Sequence, residues 1–170
     1  AYSFIKAQGM EVGNSYIEED KLEIAADILR KAQQKGVDFL LPVDHVAARE
    51  LKEETEAKAM IGTIEEGWMG LDIGPETIQL FSQAIAKAKT ILWNGPLGVF
   101  EMRKFSRGTL EIAHSVASSK AVTITGGGDT AAAVTQAGVA EKITHISTGG
   151  GASLEFLEGK TLPGIGALEC

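Results

Sequence analysis

The chain has 170 residues and a formal net charge of −7, from 16 basic and 23 acidic residues. Its length suits one domain, and 44% hydrophobic with 23% charged residues is typical of a globular protein. No apolar run approaches the roughly 20 residues that a membrane helix needs, and the acidic balance disfavours nucleic acid, which is bound mainly by an excess of Lys and Arg. With one cysteine, Cys170, and no recognisable targeting segment, we expect a cytoplasmic protein with neither a membrane nor a nucleic acid as its partner.

Segments with helical spacing of apolar residues alternate with short apolar runs. The helical spacing predicts helices over residues 1–8, 18–35, 75–88, 105–116, 130–138 and around 154–157. The apolar runs predict strands over residues 37–43, 71–73, 90–94, 121–125 and 142–147, with a minor strand at 58–61. Because helices separate strands that are apolar throughout, we predict an α/β fold: a Rossmann-like parallel sheet with helices on both faces. The tail from Leu162 is predicted to be irregular.

Three predicted strands end in unusual residues, and ligands of open parallel sheets bind beyond such ends. These ends are Asn94-Gly95-Pro96, Gly126–Thr130 and Thr148–Gly151. A glycine triplet between a strand and a helix favours an anion site, because glycine lets N–H groups approach closely and the helix start adds positive charge. Asp129 is then either an N-cap or a carboxylate facing Mg²⁺ on a nucleotide. The two glycine turns together predict a phosphate-binding floor.

Other chemistries fit these residues less well. Gly126-x-Gly128-x-x-Ala131 matches a loose dinucleotide fingerprint, but the next strand ends without the acidic residue that ribose binding expects. No glycine turn is followed by Lys-Ser or Lys-Thr, as a Walker sequence requires. The three histidines are scattered and have no second ligand at metal spacing. Asp72, just before Gly74-Pro75, is predicted to be a turn residue.

Four long stretches of the chain closely resemble phosphoglycerate kinase. They are residues 67–75, Trp93–Glu101, Thr125–Ala131 and His145–Gly159, and the similarity runs on to the Leu162-Pro163-Gly164 tail. That family transfers a phosphoryl group between 1,3-bisphosphoglycerate and Mg-ADP, giving 3-phosphoglycerate and Mg-ATP. Its N-terminal lobe holds the phosphoglycerate and its C-terminal lobe holds the nucleotide. The resemblance implies that residues 1–170 are an incomplete C-terminal lobe.

The resemblance also implies roles on the base and sugar side of a nucleotide. Gly70 and Leu71 would line the adenine pocket. Tyr16 stands where the family usually has a leucine against the base, so base stacking would differ here. Pro96 would flank the sugar, and Glu101 would accept hydrogen bonds from the ribose hydroxyls.

On the phosphate side, the resemblance implies two groups of residues. Those that would contact the nucleotide phosphates are Asn94, Gly127, Gly128, Asp129 and Thr130, with Asp129 facing Mg²⁺. Those that would offer N–H groups to the transferred phosphoryl group are Gly149, Gly150 and Gly151. Transfer in this family is in-line and needs no covalent protein intermediate.

The resemblance further implies what this chain lacks. The opening strands of the lobe, a Gly-Ala-Lys motif, the N-terminal lobe with its arginines, and the hinge would all be absent. We therefore expect ATP or ADP with Mg²⁺ as ligand, 3-phosphoglycerate only through the absent N-terminal lobe, and a complementary fragment of the same enzyme as a candidate partner. Three hypotheses follow: part of a kinase, a nucleotide-binding module without turnover, and, more weakly, a dinucleotide oxidoreductase.

Overall fold

The computed structural model describes residues 1–167, so Cys170 lies outside the described residues. The chain divides into two compact units. The first unit comprises residues 1–81 and 97–109, and the second comprises residues 82–96 and the described residues from 110 onward. None of the helices in residues 1–167 combines the length and the apolar character that crossing a bilayer requires.

The first unit is built on a three-stranded antiparallel sheet. Its strands are β1 (Asp44–Ala48), β2 (Ala57–Ile61) and β3 (Met69–Ile73), in the order β2-β1-β3. Its helices are α1 (Tyr2–Ala7) and α2 (Leu22–Gln34), a 3₁₀ turn Glu19–Lys21 precedes α2, and α3 (Pro75–Lys87) begins here. These helices confirm the predictions for residues 1–8, 18–35 and 75–88, and β2 and β3 confirm the strands at 58–61 and 71–73.

The strand predicted at residues 37–43 is wrong. The chain there is irregular, and Val37 and Phe39 are exposed. Within the described residues the segment belongs to no strand pair, although the Val43 carbonyl at its end accepts the Gly62 N–H at 2.8 Å, whereas β1, starting at Asp44, pairs with β2 on one side and β3 on the other. The apolar run indicates a buried strand, but the strand that forms is β1, which begins at Asp44, one residue beyond the run.

Two buried aspartates fix the starts of α3 and α4 (Arg107–Ser118). The Asp44 carboxylate accepts the N–H groups of Glu76 at 2.9 Å and Thr77 at 2.7 Å. The Asp72 carboxylate accepts the N–H of Gly108 at 2.7 Å. The prediction that Asp72 is a turn residue is therefore wrong: it lies in β3, only 2% exposed, and caps a helix that follows much later in the chain.

The second unit contains the parallel sheet that the sequence predicted. Its strands are β4 (Thr90–Asn94), β5 (Val122–Gly126) and β6 (His145–Ser147), in the order β4-β5-β6. Asn94 pairs with Gly126, and Gly126 pairs with Ser147, so the three strands end level with one another. This sheet, with the helices below, confirms the α/β, Rossmann-like fold class.

Three helices of the second unit follow its strands. They are α5 (Gly128–Gln136), α6 (Gly150–Leu157) and α7 (Pro163–Gly166). The irregular tail predicted from Leu162 is wrong, because Pro163 starts α7 as its first residue. Helices α6 and α7 line a cavity of about 420 Å³ together with Leu92 and Ile124 of the sheet. On the opposite face of the sheet, Trp93, Thr123 and Thr125 are buried.

Candidate functional site

The two glycine turns of the second unit lie against each other at the level strand ends. The Gly127 N–H donates to the Ser147 carbonyl at 2.9 Å, which ties the first turn to the end of β6. A Cβ atom added to Gly150 would lie 3.0 Å from the Gly127 Cα and 3.3 Å from its nitrogen. Gly127 itself has φ +97°, a left-handed conformation that favours glycine. We call Gly126–Thr130 with Gly149–Gly151 the glycine cluster.

The glycine cluster contains two helix starts. Gly127 is the N-cap of α5 and Gly149 is the N-cap of α6, and neither N-cap makes a side-chain capping bond within the described chain. The first N–H groups of a helix have no partner inside the helix, so they are open to an acceptor from outside. No described atom lies within 4 Å of a Cβ placed on Gly128 or Gly151, which leaves room for such an acceptor.

Asp129 lies in the first turn of α5 and is exposed. Because Gly127 is the N-cap, the N-cap interpretation of Asp129 is wrong, and its carboxylate remains available to a ligand. Within residues 1–167, no group of three His, Cys, Asp or Glu residues could hold a metal ion by itself. Mg²⁺ is usually bound through one or two carboxylates together with substrate phosphates, so this single carboxylate fits a magnesium ion that arrives with a nucleotide.

Asn94 and Thr130 hold the glycine cluster to β4. The Asn94 Nδ2 donates to the Gly150 carbonyl at 3.3 Å. The Thr130 hydroxyl is buried and accepts the Gly95 N–H at 2.7 Å. Both side chains predicted to contact phosphates thus also have a structural role, while Asn94 itself stays exposed at the strand end.

The predicted base-side residues lie in the first unit. A Cβ atom on Gly70 would fall 1.8 Å from the Tyr2 hydroxyl oxygen, so only glycine fits there. Leu71 is 9% exposed and packs with Ala48 and Phe105 in the core. Tyr16 is 84% exposed. The structure therefore places Leu71 mainly as a core residue and Tyr16 as a free aromatic surface.

The predicted sugar-side residues lie in different units. Glu101 is exposed, in a loop whose Val99 N–H donates to the Leu71 carbonyl at 2.9 Å. This bond ties the loop of Glu101 to β3 beside the predicted base-side residues. Pro96 is half-buried and follows β4 in the second unit.

Two titratable residues of the first unit are buried near the base-side residues but serve the fold. Burial raises the pKa of Asp72 to about 6, against the opposing effect of the N–H groups of Gly108 and Ile73. Burial lowers the pKa of His45, whose Nε2 lies 3.2 Å from the Gly62 carbonyl oxygen. His45 is thus a core histidine with a partner, as scattered histidines usually are.

The sequence of the chain matches that of known phosphoglycerate kinases along nearly its whole length. The sequence model of the phosphoglycerate kinase family matches residues 1–160. The phosphoglycerate kinase of Clostridium tetani is 59% identical over 169 residues, which are 99% of this chain and 42% of that protein. The phosphoglycerate kinase of Finegoldia magna is 56% identical over 170 residues, 99% of this chain and 43% of that protein.

Solved structures give the same result. The structure of phosphoglycerate kinase from Coxiella burnetii matches with a TM-score of 0.90 at 42% identity, over 94% of this chain and 42% of that one. The crystal structure of phosphoglycerate kinase from Pyrococcus horikoshii matches with a TM-score of 0.83 at 32% identity, over 99% of this chain and 42% of that one. The chain therefore spans about two fifths of the length of these relatives.

Proposed function

Because the chain belongs to the phosphoglycerate kinase family, we propose that it supplies the nucleotide-binding part of a glycolytic kinase. The reaction would transfer a phosphoryl group between 1,3-bisphosphoglycerate and Mg-ADP to give 3-phosphoglycerate and Mg-ATP. The observation that carries the proposal is the contact between the two glycine turns at the ends of β4, β5 and β6. Family membership supports the reaction, and this geometry supports an anion site.

The phosphates would be bound mainly by backbone N–H groups. A chain with a net charge of −7 cannot rely on an excess of cationic side chains, whereas two uncapped helix starts offer N–H groups without adding charge. The N–H groups of Gly128 and Thr130 would contact the nucleotide phosphates, and Gly127, whose own N–H is bonded to the Ser147 carbonyl, would form the turn beside them. Asn94 would add a side-chain amide from the end of β4.

The second glycine turn would act on the group in transfer. In-line phosphoryl transfer is accelerated by positioning and by charge stabilisation, and it needs no nucleophile from the protein. The N–H groups of Gly150 and Gly151 would stabilise the equatorial oxygens of the phosphoryl group, in a turn held by the packing of Gly150 against Gly127 and by the Gly149 N–H, which donates to the Ser147 hydroxyl at 3.2 Å. Asp129 would hold a magnesium ion, which neutralises charge on the phosphates when bound.

The base and the ribose would be bound by residues of the first unit. Gly70, whose Cα is covered by Tyr2, would contribute its backbone to the wall of the base pocket, and Tyr16 would offer its exposed ring for stacking. Leu71, packed in the core, would support the pocket from below. Glu101 would accept hydrogen bonds from the ribose hydroxyls.

A second candidate function is nucleotide binding without turnover by this chain alone. It is favoured by the fact that the chain spans about 42% of its relatives, so the phosphoglycerate site would have to come from elsewhere. We expect a coupled assay of the isolated chain to show no kinase activity. Adding a complementary fragment of the enzyme would then be the way to restore it, and robust turnover by the chain alone would contradict the expectation.

Calorimetric titration of the chain with Mg-ATP, Mg-ADP and NAD tests the proposal. We expect saturable binding of both adenine nucleotides in the presence of Mg²⁺ and weaker binding when Mg²⁺ is removed. NAD separates this proposal from the dinucleotide hypothesis, since tight NAD binding without Mg²⁺ would support an oxidoreductase instead. The absence of any Mg-ATP binding would overturn the proposal.

A further inference from the structure

Residues 11–16 of the first unit run alongside residues 64–70. The Ile64 N–H donates to the Glu11 carbonyl at 2.9 Å, and Val12 forms a parallel bridge with Ile64. Further along, the Asn14 N–H donates to the Trp68 carbonyl at 2.7 Å. Backbone bonds therefore join the two segments at Glu11 and Ile64 and again at Asn14 and Trp68.

The contacts between these two segments end at Ser15 and Gly70. Ser15 is only 6% exposed, and its hydroxyl oxygen accepts the Gly70 N–H at 2.9 Å. Gly13 makes the close approach possible, because a Cβ there would lie 2.3 Å from the Trp68 carbonyl oxygen and its φ is +53°. Without the Ser15 hydroxyl, the Gly70 N–H would lose its partner in a half-buried position.

Tyr16 follows directly after this fixed point. The preceding residue is held by the Ser15 contact, and the Tyr16 side chain is 84% exposed and can meet a flat ligand. An aromatic ring on a fixed backbone is a suitable surface for stacking a nucleobase, because little conformational freedom is lost on binding. The Ser15 hydroxyl therefore fixes the chain to β3 at the residue just before Tyr16.

We propose that Ser15 is a positioning residue for the nucleobase. Its hydroxyl holds Tyr16 beside Gly70, and this sets how strongly the chain prefers a nucleotide over a base-free polyphosphate. The inference rests on the proposed function, which gives Gly70 and Tyr16 their roles but gives Ser15 none.

The test compares Mg-ATP with Mg-tripolyphosphate, which has the phosphates but no base. Ser15→Ala should weaken Mg-ATP binding by about fivefold, the effect of one lost hydrogen bond, and should change tripolyphosphate binding less than about twofold. Ser119→Ala is the control, since it removes another bonded serine hydroxyl, at the end of α4 in the second unit. It should change neither affinity.

A double-mutant cycle tests whether Ser15 acts through Tyr16. Tyr16→Ala should itself weaken Mg-ATP binding, and Ser15→Ala should then have little further effect in that background. Gly13→Ala disturbs the same segment by a different route and should weaken Mg-ATP selectively as well. Thermal unfolding of each variant shows whether the first unit is still folded.

Several results would overturn the inference. Equal weakening of both ligands by Ser15→Ala would show a general structural role. Unchanged Mg-ATP binding, or additive effects of Ser15→Ala and Tyr16→Ala, would show that Ser15 does not act through Tyr16. If the unaltered chain binds Mg-ATP no better than tripolyphosphate, the base-side part of the proposed function fails together with the inference. If that preference is present but Ser15→Ala leaves it intact, the inference fails alone.

Discussion

Gly70 in the first unit and Gly150 in the second both lack room for a side chain, but for different reasons. The space over Gly70 is filled by the Tyr2 side chain, which comes from a distant part of the sequence. The space over Gly150 is bounded by the backbone of Gly127, in a turn of the same kind. Backbone-to-backbone packing of this sort leaves a signature in the sequence, namely two glycine triplets, whereas packing against a distant side chain leaves none.

The largest expected effect concerns Gly70. Gly70→Ala places a Cβ 1.8 Å from the Tyr2 hydroxyl, so we expect the free energy of unfolding to fall by about 3 kcal/mol. Because the obstacle is a side chain, the same change should cost clearly less in a Tyr2→Ala background. Urea unfolding of the four proteins measures this coupling. Equal costs in both backgrounds would contradict the assignment of Tyr2 as the obstacle.

The next prediction concerns Asp72, which is buried in the first unit. Burial raises the Asp72 pKa from 3.8 to about 6, so between these values the folded chain holds a proton that the unfolded chain has lost. Stability should therefore fall as pH rises through this window, by about 3 kcal/mol, and level off above pH 6.

Urea unfolding between pH 4 and pH 8 checks the sign. Asp72→Asn should remove the contribution of Asp72 to the dependence of stability on pH. The two Asp72 oxygens accept the N–H groups of Ile73 and Gly108, so the single oxygen of Asn leaves one of these N–H groups without its acceptor. If the stability of the unaltered chain changed with pH through this window just as that of Asp72→Asn does, the raised pKa of Asp72 would be refuted.

A smaller effect is expected at Gly150. Gly150→Ala forces the two glycine turns apart by a few tenths of an ångström, because the nearest atoms at 3.0 and 3.3 Å belong to the Gly127 backbone. We expect roughly tenfold weaker Mg-ATP binding with little change in stability, since misplaced N–H groups cost binding energy. Gly164→Ala, where no described atom lies within 4 Å of the new Cβ, is the control. Unaltered Mg-ATP affinity in Gly150→Ala would contradict the view that the packing of Gly150 on Gly127 serves binding, whereas the packing at Gly70 serves stability.

The smallest predicted effect is at Asp129. Asp129→Asn should weaken Mg-ATP binding severalfold, on the order of 1 kcal/mol, because one magnesium ligand loses its charge. Binding of ATP measured in the presence of EDTA should be the same for Asp129→Asn and for the unaltered chain. Glu141→Gln, another exposed carboxylate of the second unit, is a suitable control. If ATP binding depended on magnesium in the same way in Asp129→Asn and Glu141→Gln, Asp129 would not be a magnesium ligand.

The sequence predicted the second unit well because its signals are local. β4 spans the predicted residues, and each glycine turn stands between its strand and its helix, as the spacing indicated. The first unit was harder, because β1 is short and partly polar and pairs with strands that the chain forms only later. The roles of Asp72 and Ser15 depend on partners 36 and 55 residues away, so no local pattern could show them.

We propose above all that backbone N–H groups of the two glycine turns bind the phosphates of a nucleotide. Amide chemical shifts of the ¹⁵N-labelled chain, followed during titration with Mg-ATP, test it most directly. We expect saturable shifts at residues 127–130 and 149–151, reproduced there by Mg-tripolyphosphate. Saturable Mg-ATP binding that leaves these amides unshifted would contradict it.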